Sequence, residues 1–154
     1  MISIRLFKTP DCEAMITLFQ RSVHEIACQH YNPAQLAAWA PKEINQEDWL
    51  KRCLSRPTWL AWDDNTLAGF IDLEDNGHLN LLYVSPDYQG QGLAKSLYNT
   101  VEKQARLNKN KSIFVEASLS ARPFFEKQGF HVQTRQTVER KGETFINFKM
   151  EKSL

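Results

Sequence analysis

One stretch, Gln89-Gly90-Gln91-Gly92, restricts the folds open to this chain more than any other. It stands between a strand pattern and a helix pattern. Ahead of it, Leu79, Leu81 and Tyr83 alternate with His78, Asn80 and Leu82, the period of two expected of a strand over residues 78 to 84. Ser85-Pro86-Asp87 stops that strand, because Pro86 has a fixed φ and no amide hydrogen. Behind it, Leu93, Ala94, Leu97, Tyr98, Val101 and Ala105 predict an amphipathic helix of about four turns. Two glycines without Cβ atoms, directly before a helix N-terminus, let backbone amides converge on an anion. The stretch therefore predicts a phosphate-bearing ligand.

The rest of the chain supplies the frame. Ile2, Ile4 and Leu6 mark a first strand, and Met15, Ile16, Phe19, Val23, Ile26 and Ala27 a helix running to about His30. Asn32-Pro33 reads as an N-cap and first helical residue for a short helix through Leu36 to Trp39. Asn45, with Asp48 three residues on, caps a third helix carrying Trp49, Leu50, Cys53 and Leu54. Trp59–Trp62 and Leu67–Leu73 are strands, and Asn76-Gly77 turns the second into the opening stretch, so three strands form an antiparallel meander. After the helix, Ile113-Phe114-Val115 predicts a short strand buried on both faces. Ala121–Gln128 predicts a brief helix closed by Gly129, and Lys141-Gly142 turns a final hairpin from Phe130 to Met150. The fold class expected is α/β (α+β): one domain over residues 1–154, with a mixed, mostly antiparallel central sheet flanked by helices.

Bulk properties narrow the partners. A net charge of +1 argues against nucleic acid, whose binders carry a marked basic excess. No apolar run approaches the ~20 residues of a membrane span. Three widely spaced cysteines, Cys12, Cys28 and Cys53, give neither a disulfide framework nor a zinc knuckle, so free thiols in the cytoplasm are expected. No metal site is expected; His24 and Cys28 share a helix face, but two ligands do not make one.

Two nucleotide motifs fail. The P-loop pattern is absent, and the dinucleotide fingerprint lacks its third glycine, where Lys95 stands. Gln89-x-x-Gly92-x-Ala94, after Leu82-Tyr83-Val84 and opening a helix, instead resembles the acetyl-CoA signature of the GNAT N-acetyltransferase superfamily. Ala121-Arg122-Pro123-Phe124-Phe125-Glu126-Lys127-Gln128-Gly129-Phe130 resembles a second block of that family, and the element order fits it from about Ile2 to Met150.

The resemblance implies a GNAT-like acyltransferase fold and transfer of an acetyl group from acetyl-CoA to a primary amine of a small molecule or peptide. It implies that Gln89, Gly90, Gln91, Gly92, Leu93, Ala94 and Lys95 hold the CoA pyrophosphate. Leu82, Tyr83 and Val84 on one strand, with Ser118 and Phe125 opposite, would line the pantetheine arm. The base would project from the strand before the loop, at His78 or Asn80, with Glu74 and Asp72 as alternatives acting through water. Tyr31 and Trp39 fall where the acceptor would bind. Phe125 departs from the family, since many relatives carry a tyrosine there as general acid. Two rivals follow: a non-catalytic acyl-CoA-binding module, motivated by Phe125, and a dinucleotide-binding domain. A homodimer is one assembly such a chain can adopt.

Overall fold

The computed structural model describes residues 1–154. In chain order the elements are β1 (Ile2–Leu6), α1 (Cys12–Ile26), α2 (Pro33–Trp39), α3 (Gln46–Ser55), β2 (Thr58–Asp63), β3 (Thr66–Asp72) and β4 (Leu82–Val84). There follow α4 (Leu93–Leu107), β5 (Ser112–Ser118), α5 (Arg122–Lys127), β6 (His131–Arg140) and β7 (Glu143–Ser153). Local chemistry sets the helix starts. Asn32 Oδ1 accepts from the Gln35 amide and Gln35 Oε1 from the Asn32 amide, each at 2.8 Å, with Pro33 next to the cap. Asn45 Oδ1 accepts from the Asp48 amide at 3.0 Å.

The strands form two antiparallel sheets, β1-β2-β3-β4 and β5-β7-β6. A single parallel bridge, His78 to Phe114, joins them. Its bonds are Leu79 N to Phe114 O at 2.9 Å and Phe114 N to Gly77 O at 3.1 Å. Two apolar clusters lie on opposite sides of the strands. α1, α2 and α3 contribute Met15, Phe19, Leu36 and Trp49 to one, against Leu60 and Phe70. α4 contributes Leu97, Tyr98 and Val101 to the other, against Ile71, Ile113, Phe125 and Met150. No helix is long and apolar enough to cross a membrane.

Two expectations need correction. The stretch 78–84 is not one regular strand: only Leu82–Val84 pairs with β3. Asp72 Oδ1 accepts from two successive amides, Asn80 N at 2.9 Å and Leu81 N at 2.7 Å, which is a bulge closed by a carboxylate. The bulge reverses the alternation. Leu79 packs in the α4 cluster while Leu81 and Tyr83 pack against α1, so His78 and Asn80 do not follow one unbroken strand face. β5 is also not buried on both faces. Ile113, Val115 and Ala117 are buried, whereas Phe114 is half-buried and Glu116 exposed, because β5 looks onto the gap between the sheets.

Candidate active site

Beyond the His78–Phe114 bridge, β4 and β5 part company. The bonds Ser85 N to Ala68 O (2.8 Å) and Asp72 N to Leu81 O (3.1 Å) fix which β4 residues face β3. By antiparallel alternation Tyr83 shares bonds with Phe70, and the backbone groups of Leu82 and Val84 turn outward toward β5. No strand covers that edge. A cavity of about 860 Å³ fills the split.

At the glycine loop, Gly90 and Gly92 both have φ of +75°, and a Cβ at either would meet nothing within 4 Å. Gly92 caps α4 without a side chain. The first backbone bond of α4 is Ser96 N to Gly92 O, so the amides of Leu93, Ala94 and Lys95 are unspent at the positive end of a 15-residue helix. Three contacts brace the approach to this loop. Ser85 Oγ accepts from Asp87 N, Tyr88 Oη donates to Asp63 at 2.8 Å, and Arg21 pairs with Asp87 at 3.1 Å. Gln89 turns its side chain back, donating to Val84 O at 3.3 Å and Ser85 O at 3.4 Å. It braces the turn. Gln91 is exposed and does not line the cavity, whereas Gly90, Gly92, Leu93, Ala94 and Lys95 do.

Where the split closes stands His78, stacked on Phe114 with ring centroids 4.9 Å apart. Its Nδ1 lies 2.7 Å from Glu74 Oε2 and its Nε2 2.8 Å from Glu116 Oε2. Both ring nitrogens are therefore engaged, and by carboxylates. His78, Asn80 and Glu116 line the cavity, and Glu74 does not. Glu74 instead bridges His78 and Arg56, the latter at 2.6 Å. Asp72, an alternative base from the sequence, is fully buried behind the bulge with Arg56 3.6 Å away. Burial pushes its carboxyl above the usual carboxylate range, against the pull of the Leu81 and Asn80 amides and Arg56. It shapes the backbone and has no path to an acceptor.

Facing β4 across the cavity are Ser118 and Phe125. Ser118 Oγ accepts from Ala121 N at 3.1 Å, turning the chain into α5. Phe125 is buried against Phe124 and Phe130. Tyr31 and Trp39 also line the cavity, in different ways. The Tyr31 hydroxyl donates to Ile146 O at 2.9 Å and accepts from Leu119 N at 3.0 Å, tying β7 to the turn after β5. Trp39 is half-buried, and its indole donates to the Tyr83 hydroxyl at 3.3 Å. Burial pushes Tyr83 up to about 12. The structure also brings in Glu116, Arg52 and Arg140, which sequence reasoning did not place at the site. Glu116 carries a legible signal, a charged residue inside an apolar strand pattern; the two arginines carry none. No group of three His, Cys, Asp or Glu side chains is arranged to hold a metal ion.

This geometry agrees with the relatives of the chain. A family model for the acetyltransferase (GNAT) domain matches residues 27–152. The uncharacterized N-acetyltransferase YafP of Escherichia coli (strain K12) is 33% identical over 149 residues, 97% of this chain and 94% of that one. The peptidyl-lysine N-acetyltransferase YjaB of Salmonella typhimurium is 30% identical, with 94% of each chain covered. The crystal structure of a GCN5-related N-acetyltransferase from Rhodopseudomonas palustris superposes with a TM-score of 0.95 at 30% identity, over 99% of this chain and 95% of the other. The family model spans most of the chain and these relatives match it over nearly its whole length: the chain belongs to the GNAT acetyltransferase family.

Proposed function

We propose that the protein transfers an acetyl group from acetyl-CoA to a primary amine of a small molecule or peptide. One observation carries this reading: the unpaired β4 edge at Leu82 and Val84 runs from the His78 cluster to the unspent amides of α4. Pantetheine is a chain of amides and fits such an edge as a strand would. The α4 amides and Lys95 suit its pyrophosphate. An edge amide of Leu82 or Val84 is the donor available to the oxyanion formed when the amine attacks the thioester carbonyl. The acceptor class draws support from the relative named as a peptidyl-lysine acetyltransferase.

An alkyl amine with a pKa of ~10.4 is neutral in only about one molecule in a few thousand at pH 7, so attack needs a group that removes a proton. The Glu74–His78–Glu116 cluster is that group in this reading. Glu116 lines the cavity with Oε1 unpartnered and takes the amine proton on that oxygen, while His78, bonded to Glu116 Oε2 and to Glu74, holds the carboxylate in place. Asn80 lines the cavity near the same end and suits orientation of a bridging water. The thiolate then leaves without a side-chain acid at position 125.

The test is thiol release from acetyl-CoA across a panel of amines. Turnover is expected, with losses of at least about 100-fold for His78→Ala and Glu116→Gln, the lower end of general-base contributions. Both variants should still bind CoA. Saturation to about 100-fold over Kd adds ~2.7 kcal/mol, a rise in Tm of roughly 5–11 °C at this size. Phe125 favours a second reading, a non-catalytic acyl-CoA-binding module. A CoA-dependent rise in Tm without thiol release on any amine selects that module, and no rise with CoA removes both.

A further inference from the structure

Next to the main cavity lies a smaller chamber of about 470 Å³. Four residues line both spaces and form the narrow border, or neck, where they adjoin: Phe19, Trp39, Arg52 and Arg140. Two are aromatic and two carry guanidinium groups. Arg52 reaches out from α3, 5.8 Å from the Trp49 ring centroid, and Arg140 ends β6 just before the closing hairpin turn.

Neither arginine makes an ion pair or a side-chain hydrogen bond. Arg5, Arg21, Arg56, Arg106 and Arg122 each hold a carboxylate, and Arg135, also unpaired, lies outside both cavities. Acids do stand nearby: Glu139 lines the main cavity, and Glu43 and Asp48 line the outer chamber. None pairs with Arg52 or Arg140. Both arginines are exposed and line the same border, and an anion held between two cations gains from each. A guanidinium offers parallel N–H donors that match a carboxylate's two oxygens. The other polar group at the neck, the Trp39 indole, is already spent on Tyr83. The unused recognition surface is therefore cationic, beside the half-buried Trp39 ring.

We propose that the neck is a subsite for a carboxylate on the acceptor, held by Arg52 and Arg140 while an apolar stem lies on Trp39. The acceptor class is then an amine that is also an acid, an amino acid or an acidic peptide. This rests on reading the main cavity as the acetyl-transfer site.

The experiment uses binding, so that it does not depend on turnover. 3-Phenylpropionate and 3-phenylpropanamide are titrated into the full chain and followed by tryptophan fluorescence, which Trp39 reports from the neck and Trp49 from the outer chamber. The acid is expected to bind at least about tenfold tighter than the amide, ~1.4 kcal/mol. That gap should close in the Arg52→Gln/Arg140→Gln double variant and persist in Lys51→Gln, an exposed α3 control outside the cavity. Equal affinities, no detectable binding of the acid at millimolar concentration, or a preference surviving the double substitution overturns the subsite. Failure of the acetyl-transfer reading would show elsewhere, as absent thiol release.

Discussion

Gly90 and Gly92 have the same φ as a phosphate cradle needs, and also the φ that a tight turn needs. Gly142, at φ +80° in the closing hairpin, separates the two demands, since a Cβ there also meets nothing within 4 Å. Alanine at either Gly92 or Gly142 should cost about 1–2 kcal/mol through left-handed strain. If the Gly92 backbone touches pyrophosphate, only Gly92→Ala should also raise KM for acetyl-CoA, by about tenfold or more, while Gly142→Ala leaves it unchanged. Steady-state kinetics beside urea unfolding reads both quantities. Phe125 permits a second contrast. Its site is 2% exposed and packed by rings, so the hydroxyl of Phe125→Tyr costs about 1–3 kcal/mol if unpaired. A thiol with pKa ~8.5 leaves readily, so kcat should rise by less than about tenfold, below the usual 10²–10⁴-fold range of acid catalysis.

Among the elements, β4 depends most on a residue outside itself. Asp72 ends β3, yet its carboxylate decides which way residues 79 to 84 face. Asp72→Ala orphans the buried Leu81 amide and the part-buried Asn80 amide and should cost about 2–5 kcal/mol, with a raised KM for acetyl-CoA as the β4 edge shifts. Asp72→Asn keeps an acceptor oxygen and should cost less than half of that. Urea midpoints with parallel kinetics check the pair. The same residue explains what the sequence could not reveal. Caps at Asn32 and Asn45, the Lys141-Gly142 turn and the apolar face of α4 are local, and each was readable where it stands. The bulge was not, because its cause lies about eight residues upstream on another strand. Glu116 meets His78 only across the split, and Arg52 and Arg140 come to line one border only in the folded chain. The glycine loop was legible because strand, loop and helix are consecutive; the chemistry at the closed end of the cavity was half legible because it is assembled from β5 as well.

At the scale of the whole molecule, stability should respond to acid. Burial alone would raise Asp11 and Glu102, but their partners outweigh it. Arg5 and the Lys8 amide hold Asp11 below the usual range, and Lys152 and Tyr98 do so for Glu102. A group lowered in the folded state releases protons there first, so its stabilisation is complete above the unfolded pKa, 3.8 or 4.5 here, and fades as pH falls through the folded value. Asp72 acts the other way. Raised in the fold, it favours folding at low pH and loses that contribution as pH climbs above 3.8. With Asp11 and Glu102 opposed only by Asp72, the urea midpoint should drop between about pH 6 and pH 3, and the drop should be larger in Asp72→Asn. An unchanged midpoint in the native chain would contradict this balance.

The lone bridge between the sheets has a kinetic consequence. Leu79 N and Phe114 N carry the two backbone bonds that hold the halves together at the apex of the cavity. Their amide hydrogens should exchange with solvent whenever the apex opens locally, before the α4 cluster that spans both sheets unfolds. A ligand spanning β4 and β5 would act as a second fastening. Acetyl-CoA should therefore slow exchange at Leu79 and Phe114 by about the binding factor, 1 + [L]/Kd, while amides beside the Lys141-Gly142 turn, which open without disturbing the cleft, keep their rate. Residue-resolved exchange would then measure the breathing of the cleft directly, with those two protons as its clock.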